Sequence, residues 1–486
     1  MKKTSYLLEG FAPQQTLRHF EDICAIPHGT FHEAALGAHV LSLAEENGLP
    51  ARQDAAGNIL ITVPAAPGCE DAAPLLIQGH MDMVCVKEPE VELDMETQPV
   101  QLVLEGNLLR ADRTSLGADN AVGLCHMMAL MEPHDFPHPE LELLFTVEEE
   151  TGLTGIQKFD LSWLKSRRMI NMDCGDPDVM VVGASGGQRL SLQRPCAVQK
   201  AEGTALAVEI TGLKGGHAGL EVGKNRGSAV EMGGRILNAL CCAMPVCLGE
   251  ITVKGNRNIP AHIYLAFTVP ADREEEAKAI LTALDRDFRE ELEKTDPGYC
   301  LSVTPAALEE TAGAEDTRAM ADLLLLLPHG DLRRDTDQPG TVTASAMAVD
   351  AKYEKGLFFV YLPVRFGLSA YHHAAVSRIR ALCRLCGAVL KEENAGSPPW
   401  RKAEVSPFRD LCCQVYRELY GEEMKVELEN GGVEPSIITN RMPEMDAVGF
   451  APKSRGAHTT KEHLFLDTME PFWEYFKAVL KACGEK

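Results

Sequence analysis

The chain has 486 residues, of which 45% are hydrophobic and 24% are charged, and its formal net charge at pH 7 is −24. This length exceeds what one compact core usually holds, so it predicts about two or three domains. A chain this acidic is poorly suited to binding nucleic acid, which needs clustered lysine and arginine. No run of residues approaches the roughly 18 apolar residues of a membrane span. The composition therefore predicts a globular protein whose partners are neither nucleic acids nor membranes.

The N-terminus and the cysteines together predict a cytoplasmic location. The apolar stretch that follows Lys2 and Lys3 is too short for the core of a secretion signal. The 15 cysteines lack the spacing of a disulfide framework, so we expect reduced thiols. Cys383 and Cys386 form a CxxC motif within a helical pattern, which favours two helix cysteines over a metal or redox pair.

Helices and strands alternate through the first third of the chain. Apolar residues at helical spacing predict helices over 12–25 and 32–48. A third helix, over 117–131, is expected to begin at Gly117 with Asp119 as a capping residue. Apolar and β-branched runs predict strands over 58–63, 74–79, 141–147 and 168–173. This alternation predicts an α/β domain with a mixed or parallel sheet flanked by helices.

The pattern changes from about residue 187. A strand over 205–213 precedes a helix over 227–243, and a strand over 357–368 precedes a helix over 373–390. The shared order suggests a weak internal duplication, with two similar α/β subdomains. A Gly, Ser and Pro stretch at 394–400 then ends this region. We therefore expect one discontinuous domain, 1–186 with 396–486, interrupted by an inserted α+β domain over 187–395.

The strand over 74–79 ends beside His80 and Asp82. Side chains two residues apart on a strand point the same way, so these two project together. Open α/β sheets bind their ligands at such strand ends. A metal site is one interpretation of this pair, and a capped turn with a surface histidine is the other.

Further acidic and histidine residues fall at the ends of predicted strands or in adjoining loops. They are Asp119, the run Glu148, Glu149 and Glu150, Asp173, and His458 in SRGAHTTKEH. Taken singly, each has a simpler interpretation as a helix cap, a solvated face or a turn. Carboxylates gathered at one edge would repel one another unless a cation offset their charge. Two histidines with three carboxylates suit zinc, manganese or cobalt better than calcium or magnesium.

Six sequence blocks carry a family resemblance. In chain order they are GHMDMV, RTSLGADNAVG, TVEEETGLTG, NMDCGD, GLKGGHAGLEVGKNRGSA and RGAHTTKEH. They resemble the signature blocks of the M20 family of dinuclear metallopeptidases, and most closely its aminoacyl-histidine dipeptidase branch, also called cytosolic non-specific dipeptidase. The opening FEDICAIPHGTFHEAALGAHVLSLAEENGL is similar to the N-terminus of that branch. The resemblance covers nearly the whole chain and is weak only across 265–340.

The resemblance implies a ligand set for two divalent ions, with zinc expected first and manganese or cobalt as alternatives. It implies that His80 and Asp173 bind one ion and that Glu150 and His458 bind the other. Asp119 would bridge both ions, and the peptide bond after it is expected to be cis. Each ion would then have three protein ligands, with room for a water molecule between them.

The resemblance also implies the roles of three catalytic residues. Asp82 would accept a hydrogen bond from His80 and fix its tautomer. The metals would lower the pKa of the bridging water from about 15.7 toward about 7. Glu149 would be the general base that takes the proton and passes it to the leaving amine. His217 would stabilise the oxyanion, and its alternative is a turn histidine between glycines.

By the same resemblance, the inserted region over 187–395 is a lid domain. Its length could allow it to cover the site within one chain, so both a monomer and a homodimer remain open. Asn258 and Arg365 are the expected partners of a substrate carboxylate, for which the guanidinium fork is well suited. Arg365 could instead be an outward strand residue in a surface ion pair. Glu434 is the expected partner of a substrate ammonium.

Two positions depart from the pattern of this branch. Met347 stands where an asparagine is expected, and Asn430 stands where a histidine is expected. Both lie in blocks that concern the substrate and the lid, so they bear on substrate choice rather than on hydrolysis.

The predicted function is metal-dependent hydrolysis of dipeptides, of Xaa-His type or of broad specificity. One alternative is another hydrolase of the family, which would cleave N-acyl amino acids or tripeptides. A second is a non-catalytic relative that binds peptides. The presence of Glu149 beside a full ligand set argues against the second alternative, because a binding module needs no general base.

Overall fold

The computed structural model describes residues 5–216, 218–219, 221–253, 258–336, 340, 342–394 and 396–485. The chain divides into two compact units: unit 1 is Met1–Ala184 with Trp400–Lys486, and unit 2 is Ser185–Pro399. The sequence prediction placed the corresponding limits at 186/187 and 395/396. The assignment of unit 2 as a lid stays a prediction.

The regular elements follow in chain order. The first part of unit 1 contains the helices α1 (Gln14–Cys24), α2 (Ala34–Glu46), α3 (Ala118–Ala129) and α4 (Thr154–Lys158), and the strands β1 (Ala51–Gln53), β2 (Ile59–Val63), β3 (Leu75–His80), β4 (Leu102–Glu105), β5 (Leu108–Ala111), β6 (Leu141–Thr146), β7 (Arg168–Asn171) and β8 (Val179–Ala184). Unit 2 contains α5 (Ala229–Ala243), α6 (Glu274–Leu292), α7 (Ala314–Leu326) and α8 (Ser369–Leu385), with β9 (Gly186–Pro195), β10 (Val198–Lys200), β11 (Thr204–Thr211), β12 (Cys247–Val253), β13 (Ile263–Val269), β14 (Cys300–Pro305), β15 (Glu310–Ala312), β16 (Gly330–Arg334), β17 (Val342–Ala346), β18 (Asp350–Glu354), β19 (Leu357–Phe366) and β20 (Val389–Glu392). The last part of unit 1 contains α9 (Pro407–Tyr420), α10 (Pro435–Arg441) and α11 (Met469–Gly484), with β21 (Lys425–Glu429), β22 (Asp446–Gly449), β23 (Ser454–Arg455) and β24 (His463–Phe465).

The main sheet of unit 1 has the strand order β1-β2-β6-β3-β7-β22-β8-β21 within the described residues. β3 runs parallel to both of its neighbours, β6 and β7. β1, β2 and β6 pair in antiparallel fashion, so the sheet is mixed, as predicted. Because β3, β6 and β7 are parallel, their carboxyl ends meet at one edge of the sheet.

Unit 1 buries apolar side chains on both faces of this sheet. Leu75 and Ile77 of β3 belong to one core cluster, to which α1, α2, α3, α9 and α11 also contribute. Leu76, between them, belongs to a second cluster that includes residues of α4 and α10. This alternation follows from the two-residue period of a strand. Each such side chain contributes about 1.5–3 kcal/mol when fully buried, so the end of β3 has a rigid support.

Unit 2 is built on an antiparallel sheet. Its described strands follow the order β14-β11-β13-β12-β18-β19-β17-β16, and β9 pairs with both β19 and β20. The two strand-and-helix blocks that suggested a duplication are β11 with α5 and β19 with α8. Both blocks contribute to this one sheet and to one core cluster.

The predicted elements formed, with differences at their ends. The helix expected over 373–390 is α8, which ends at Leu385 and is followed by Gly387 at φ +65°, a left-handed conformation that favours glycine. β7 ends at Asn171, so Asp173 lies two residues beyond the strand rather than closing it. All 15 cysteines are free thiols. Within the part of the chain that the structure describes, no helix combines the length and the apolar character that crossing a membrane requires.

Candidate metal centre

The first group of candidate ligands gathers at the carboxyl end of β3. His80 is the last residue of that strand, and its side chain is 1% exposed. Its Nε2 atom lies 3.0 Å from Asp119 Oδ1 and 3.3 Å from Asp173 Oδ1. We call His80, Asp119 and Asp173 the inner group.

The second group shares Asp119 with the first. Asp119 Oδ2 lies 3.4 Å from Nε2 of His458, and the same nitrogen lies 2.8 Å from Glu150 Oε1. His458 lies between β23 and β24 at φ +63°. We call Asp119, Glu150 and His458 the outer group. Asp119 thus directs one carboxylate oxygen toward each histidine.

These side chains have the composition of a divalent metal site. The ligand atoms of the inner group lie within 4.8 Å of one another, and so do those of the outer group. The ligand atoms of a third set, His80 with Glu149 and Glu150, also lie within 4.8 Å of one another. Imidazole nitrogens with carboxylate oxygens suit zinc and similar transition metals. The shared carboxylate of Asp119 fits a pair of ions better than a single one.

Burial and mutual repulsion shift the pKa values of these groups strongly. Burial raises the pKa of Asp173 to about 7 and raises that of Glu149 well above its ordinary value. Hydrogen bonds to Asp119 and Glu150 raise the pKa of His458 to about 11. Burial opposes ionisation of Asp119, but hydrogen bonds from the two histidines hold its pKa below the ordinary range. A bound cation would offset the repulsion among these carboxylates.

Asp82 holds the loop that carries the glutamates. Its carboxylate accepts hydrogen bonds from the backbone N–H groups of Glu149, at 2.9 Å, and Glu150, at 3.2 Å. It also accepts one from the hydroxyl of Thr30 at 3.0 Å. The acceptor nearest to His80 Nδ1 is the carbonyl oxygen of Asp82 at 2.9 Å, while the carboxylate lies at 3.4 Å. His80 Nδ1 therefore lies close to both the main-chain oxygen and the carboxylate of Asp82, and the role of that carboxylate in fixing the tautomer stays a prediction.

The start of α3 shapes the position of Asp119. The expected cis peptide bond between Asp119 and Asn120 is confirmed. The expectation that Asp119 caps the helix is wrong: the N-cap is Gly117 at φ +76°, and no side chain makes a cap hydrogen bond. The carboxylate of Asp119 turns to the histidines instead. Asn120 Nδ2 donates to Asp173 Oδ1 at 2.7 Å, so this turn also orients a second carboxylate.

A buried polar network lies under the end of β3. Glu434 is fully buried, and its Oε2 atom accepts hydrogen bonds from Thr146 Oγ1, at 2.7 Å, and from Gln78 Nε2. Gln78 in turn accepts a hydrogen bond from Asn171 Nδ2 at 2.7 Å. Burial raises the pKa of Glu434 to about 8. The structure thus places Glu434 inside unit 1, and its contact with a substrate ammonium stays a prediction.

The remaining expected site residues belong to unit 2. His217 lies outside the described residues, and Asn258 is exposed. Arg365, on β19, lines a cavity of about 150 Å³ with Arg189, Ser345 and other residues of this unit. Its guanidinium lies against Gly219, where an added Cβ would sit 2.5 Å from Arg365 Cζ. The roles of these three residues stay predictions.

Met347 packs in a buried apolar cluster of unit 2, with Val222 and Val342 among its members. An asparagine there would bring a polar amide into an apolar setting. The departure at this position is therefore consistent with the local packing of this chain.

The sequence interpretation missed one buried glutamate at the site. Glu462 lies in the block RGAHTTKEH, four residues after His458, and it is 2% exposed. Its carboxylate accepts hydrogen bonds from the backbone near Asp119. A glutamate between two histidines in a polar block looks solvated, so only its burial reveals a role.

The chain belongs to peptidase family M20/M25/M40, whose family model matches residues 76–482. It is 28% identical over 486 residues to the cytosol non-specific dipeptidase of Escherichia coli, with 99% of each chain covered. Its structure resembles that of the aminoacylhistidine dipeptidase from Vibrio alginolyticus, with a TM-score of 0.86, 25% identity, and coverage of 99% of this chain and 98% of that one. A tripeptidase from Staphylococcus aureus shares the fold at a TM-score of 0.61 and 14% identity, covering 98% of this chain and 100% of that one.

Proposed function

We propose that this peptidase hydrolyses dipeptides with the help of two divalent metal ions, zinc first among them. The observation that supports a two-ion site best is Asp119, which directs one oxygen toward His80 and the other toward His458. The full-length likeness to two dipeptidases supports the substrate class. In this proposal the inner group holds one ion and the outer group holds the other.

Glu149 is the proposed general base. The backbone N–H of Glu149 donates a hydrogen bond to the carboxylate of Asp82. One carboxylate oxygen of Glu149 lies within 4.8 Å of a ligand atom of His80 and of Glu150, but Glu149 is a member of neither the inner nor the outer group. Divalent ions bound beside it would acidify a water molecule and polarise the scissile carbonyl. Glu149 would take a proton from the attacking water and deliver it to the leaving amine.

Arg365 is the proposed partner of the substrate carboxylate. A second arginine, Arg189, and the hydroxyl-bearing Ser345 line the same cavity, together with apolar side chains such as Met347, so two guanidinium groups contribute positive charge to a mixed lining. An arginine can donate two parallel hydrogen bonds to a carboxylate. His217 and Asn258 are proposed to assist, as an oxyanion donor and as a substrate contact respectively.

A dipeptidase must distinguish both charged ends of its substrate, and this supplies the test. The metal-loaded enzyme should cleave free dipeptides and fail on N-acetylated dipeptides and on tripeptides. If the N-acetylated forms were the better substrates, the enzyme would be a deacylase. If no member of a broad dipeptide panel were hydrolysed, a non-catalytic role would be supported instead.

The same panel tests Arg365. An amidated C-terminus should reduce kcat/KM by more than about 100-fold, because the guanidinium would lose its charged partner. Arg365→Ala should weaken hydrolysis of the free dipeptide strongly and that of the amide little. Equal losses for both substrates would show that Arg365 does not recognise the carboxylate.

Small peptides are the proposed substrates, and the cytoplasm is the proposed location. The E. coli relative is named a cytosol enzyme, and the cysteines of this chain are free thiols, of the kind that a reducing compartment preserves. The chain is proposed to act as a monomer or as a homodimer.

A further inference from the structure

A single buried glutamate holds the backbone that presents Asp119. Glu462 Oε2 accepts hydrogen bonds from the N–H groups of Leu116, at 2.8 Å, and Gly117, at 2.9 Å. Its Oε1 atom accepts a third from the N–H of Asp119 at 3.2 Å. The three donors all lie within residues 116–119 of one loop, and the two oxygens of the carboxylate bind them together. Hydrogen bonds to an ionised acceptor are roughly twice as strong as neutral ones.

The loop held in this way has little freedom to rearrange. Gly117 adopts φ +76°, where other residues are strained, and a Cβ there would lie 2.7 Å from Met83 Sδ. The main-chain nitrogen of Asp119 is bound to Glu462 as well, so this contact restrains the backbone from which the carboxylate of Asp119 extends.

Glu462 also belongs to the segment that supplies the outer histidine. The segment 455–462 carries His458, and it is bound at both ends to loops that carry other candidate ligands. At one end Arg455 makes a two-pronged ion pair with Asp176, three residues after Asp173. At the other end Glu462 binds the loop of Asp119. The segment thus connects the inner and outer groups through two contacts, of which only the glutamate is buried.

We infer that Glu462 is a positioning residue that sets Asp119 between the two groups, so that one carboxylate can serve both metal ions. The inference rests on the proposed two-ion site, in which Asp119 is shared. Glu462 touches neither ion in this account and acts through the backbone of residues 116–119.

A buried glutamate that binds backbone N–H groups can also be purely structural, and the chain contains one for comparison. Glu142 is 2% exposed and accepts hydrogen bonds from the N–H groups of Lys165 and Ser166, each at 2.9 Å. It lies near the start of β6, at the end opposite to Glu149 and Glu150. Glu142→Gln is therefore a matched control for Glu462→Gln: the same chemistry is changed at the same depth, away from the candidate ligands.

The test is a cobalt titration of the full-length protein, followed by visible absorption and by equilibrium dialysis. Wild type should bind two equivalents. Glu462→Gln should remain folded by circular dichroism, weaken the binding of the second equivalent by about 10- to 100-fold, and change the visible spectrum. Glu142→Gln should unfold at a lower temperature while its cobalt affinity and spectrum match wild type.

Two results would overturn the inference in different ways. If wild type bound two cobalt ions and Glu462→Gln matched its affinity and spectrum, Glu462 would be a structural residue only. If wild type bound no cobalt pair, the two-ion site itself would be refuted, and the inference with it. Should Glu462→Gln fail to fold, Glu462→Asp takes its place, since it keeps the carboxylate one methylene shorter. Glu462→Asp should weaken the second equivalent by less than the about 10- to 100-fold expected for Glu462→Gln. Wild-type cobalt binding in Glu462→Asp would equally refute the inference.

Discussion

The inner and outer groups use similar ligands in very different surroundings. His80 of the inner group is 1% exposed and ends a strand that lies between two parallel neighbours. His458 of the outer group is 48% exposed and lies in a connection between two short strands. Each group supplies one imidazole, but the different surroundings of the two imidazoles predict different metal affinities. A ligand that is already rigid loses less conformational entropy when it binds, so we expect the inner ion to be the tighter one.

The two groups also differ in what lies beneath them. The inner group rests on Gln78 and Asn171, which join the buried network of Glu434. The outer group depends on Glu462 and on the exposed pair of Arg455 with Asp176. The sheet thus supports His80, the histidine of the inner group, whereas the segment that carries His458, the histidine of the outer group, is held by these two side-chain contacts. Asp119 is common to both groups, so Glu462 bears on each of them.

The largest effect on kcat is expected at Glu149, the proposed general base, which is the neighbour in sequence of the proposed ligand Glu150. Glu149→Ala should lower kcat by about 100- to 10,000-fold and retain two metal equivalents, because the base is not a ligand. Glu150→Ala should lose the outer ion. Metal analysis of dialysed protein, together with kcat on one dipeptide, distinguishes the two variants. Near-normal kcat in the Glu149 variant with metals bound would show that the two roles are assigned wrongly.

The comparison of the two groups is tested directly by removing one histidine at a time. His458→Ala should retain one tightly bound equivalent, because the inner group remains complete. His80→Ala should retain no tight ion, since the outer group depends on His458, whose side chain is half exposed. Equilibrium dialysis against zinc or cobalt measures both. If His80→Ala kept an ion as tightly as His458→Ala does, the inner group would have no advantage and the comparison would fail.

The network under the inner group should be visible in the pH dependence of folding. The pKa of Glu434 in the folded protein is about 8, above its ordinary value near 4.5. The unfolded chain therefore ionises first, so the stabilising contribution of the neutral carboxyl is complete below about pH 4.5 and is lost as the pH rises toward 8. The loss amounts to about 1.4 kcal/mol per pH unit between these limits. The stability of Glu434→Gln relative to wild type should thus increase by about 3 kcal/mol from pH 5 to pH 7.

Urea unfolding in the presence of a chelator is the measurement for Glu434, since it removes the contribution of bound metal. Glu470→Gln, at an exposed position of α11, is the control and should show the pH dependence of wild type. Parallel pH profiles for wild type and Glu434→Gln would mean that the buried carboxyl is already ionised in the folded chain.

The smallest effect is expected at the exposed contact of the outer group. Arg455 is 49% exposed in its ion pair with Asp176, and surface pairs contribute about 0.2–1 kcal/mol. Arg455→Ala should lower the unfolding free energy by less than about 1 kcal/mol and weaken only the more weakly bound metal equivalent, by a few-fold. Isothermal titration with zinc compares the two equivalents. Weakening of the tighter equivalent would show that Arg455 supports the inner group as well.

The patterns of the sequence predicted the elements of unit 1 and the types of ligand at their ends. Apolar runs such as Leu75–Ile77 and the polar residues that follow them are local features, so they can be recognised from a few consecutive residues. The cis bond after Asp119 and the family were expected from the motifs. The positions of His80, Glu149, Glu150 and Asp173 near one sheet edge followed from the parallel strands β3, β6 and β7, whereas Asp119 and His458 lie on other elements.

The tertiary structure decided which atoms meet. Gln78 and Glu434 are 356 residues apart in the chain, and Leu116 and Glu462 are 346 apart. Such contacts depend on how distant segments pack, so they cannot be predicted from the spacing of neighbouring residues. For the same reason the sequence overlooked Glu462, a buried carboxylate that accepts hydrogen bonds from the backbone near Asp119. The burial of Glu434 was likewise not visible in the sequence, and its contact with a substrate stays a prediction. Burial and hydrogen-bond partners are properties of the folded chain, and they determine the role of a charged residue more than its position in a motif does.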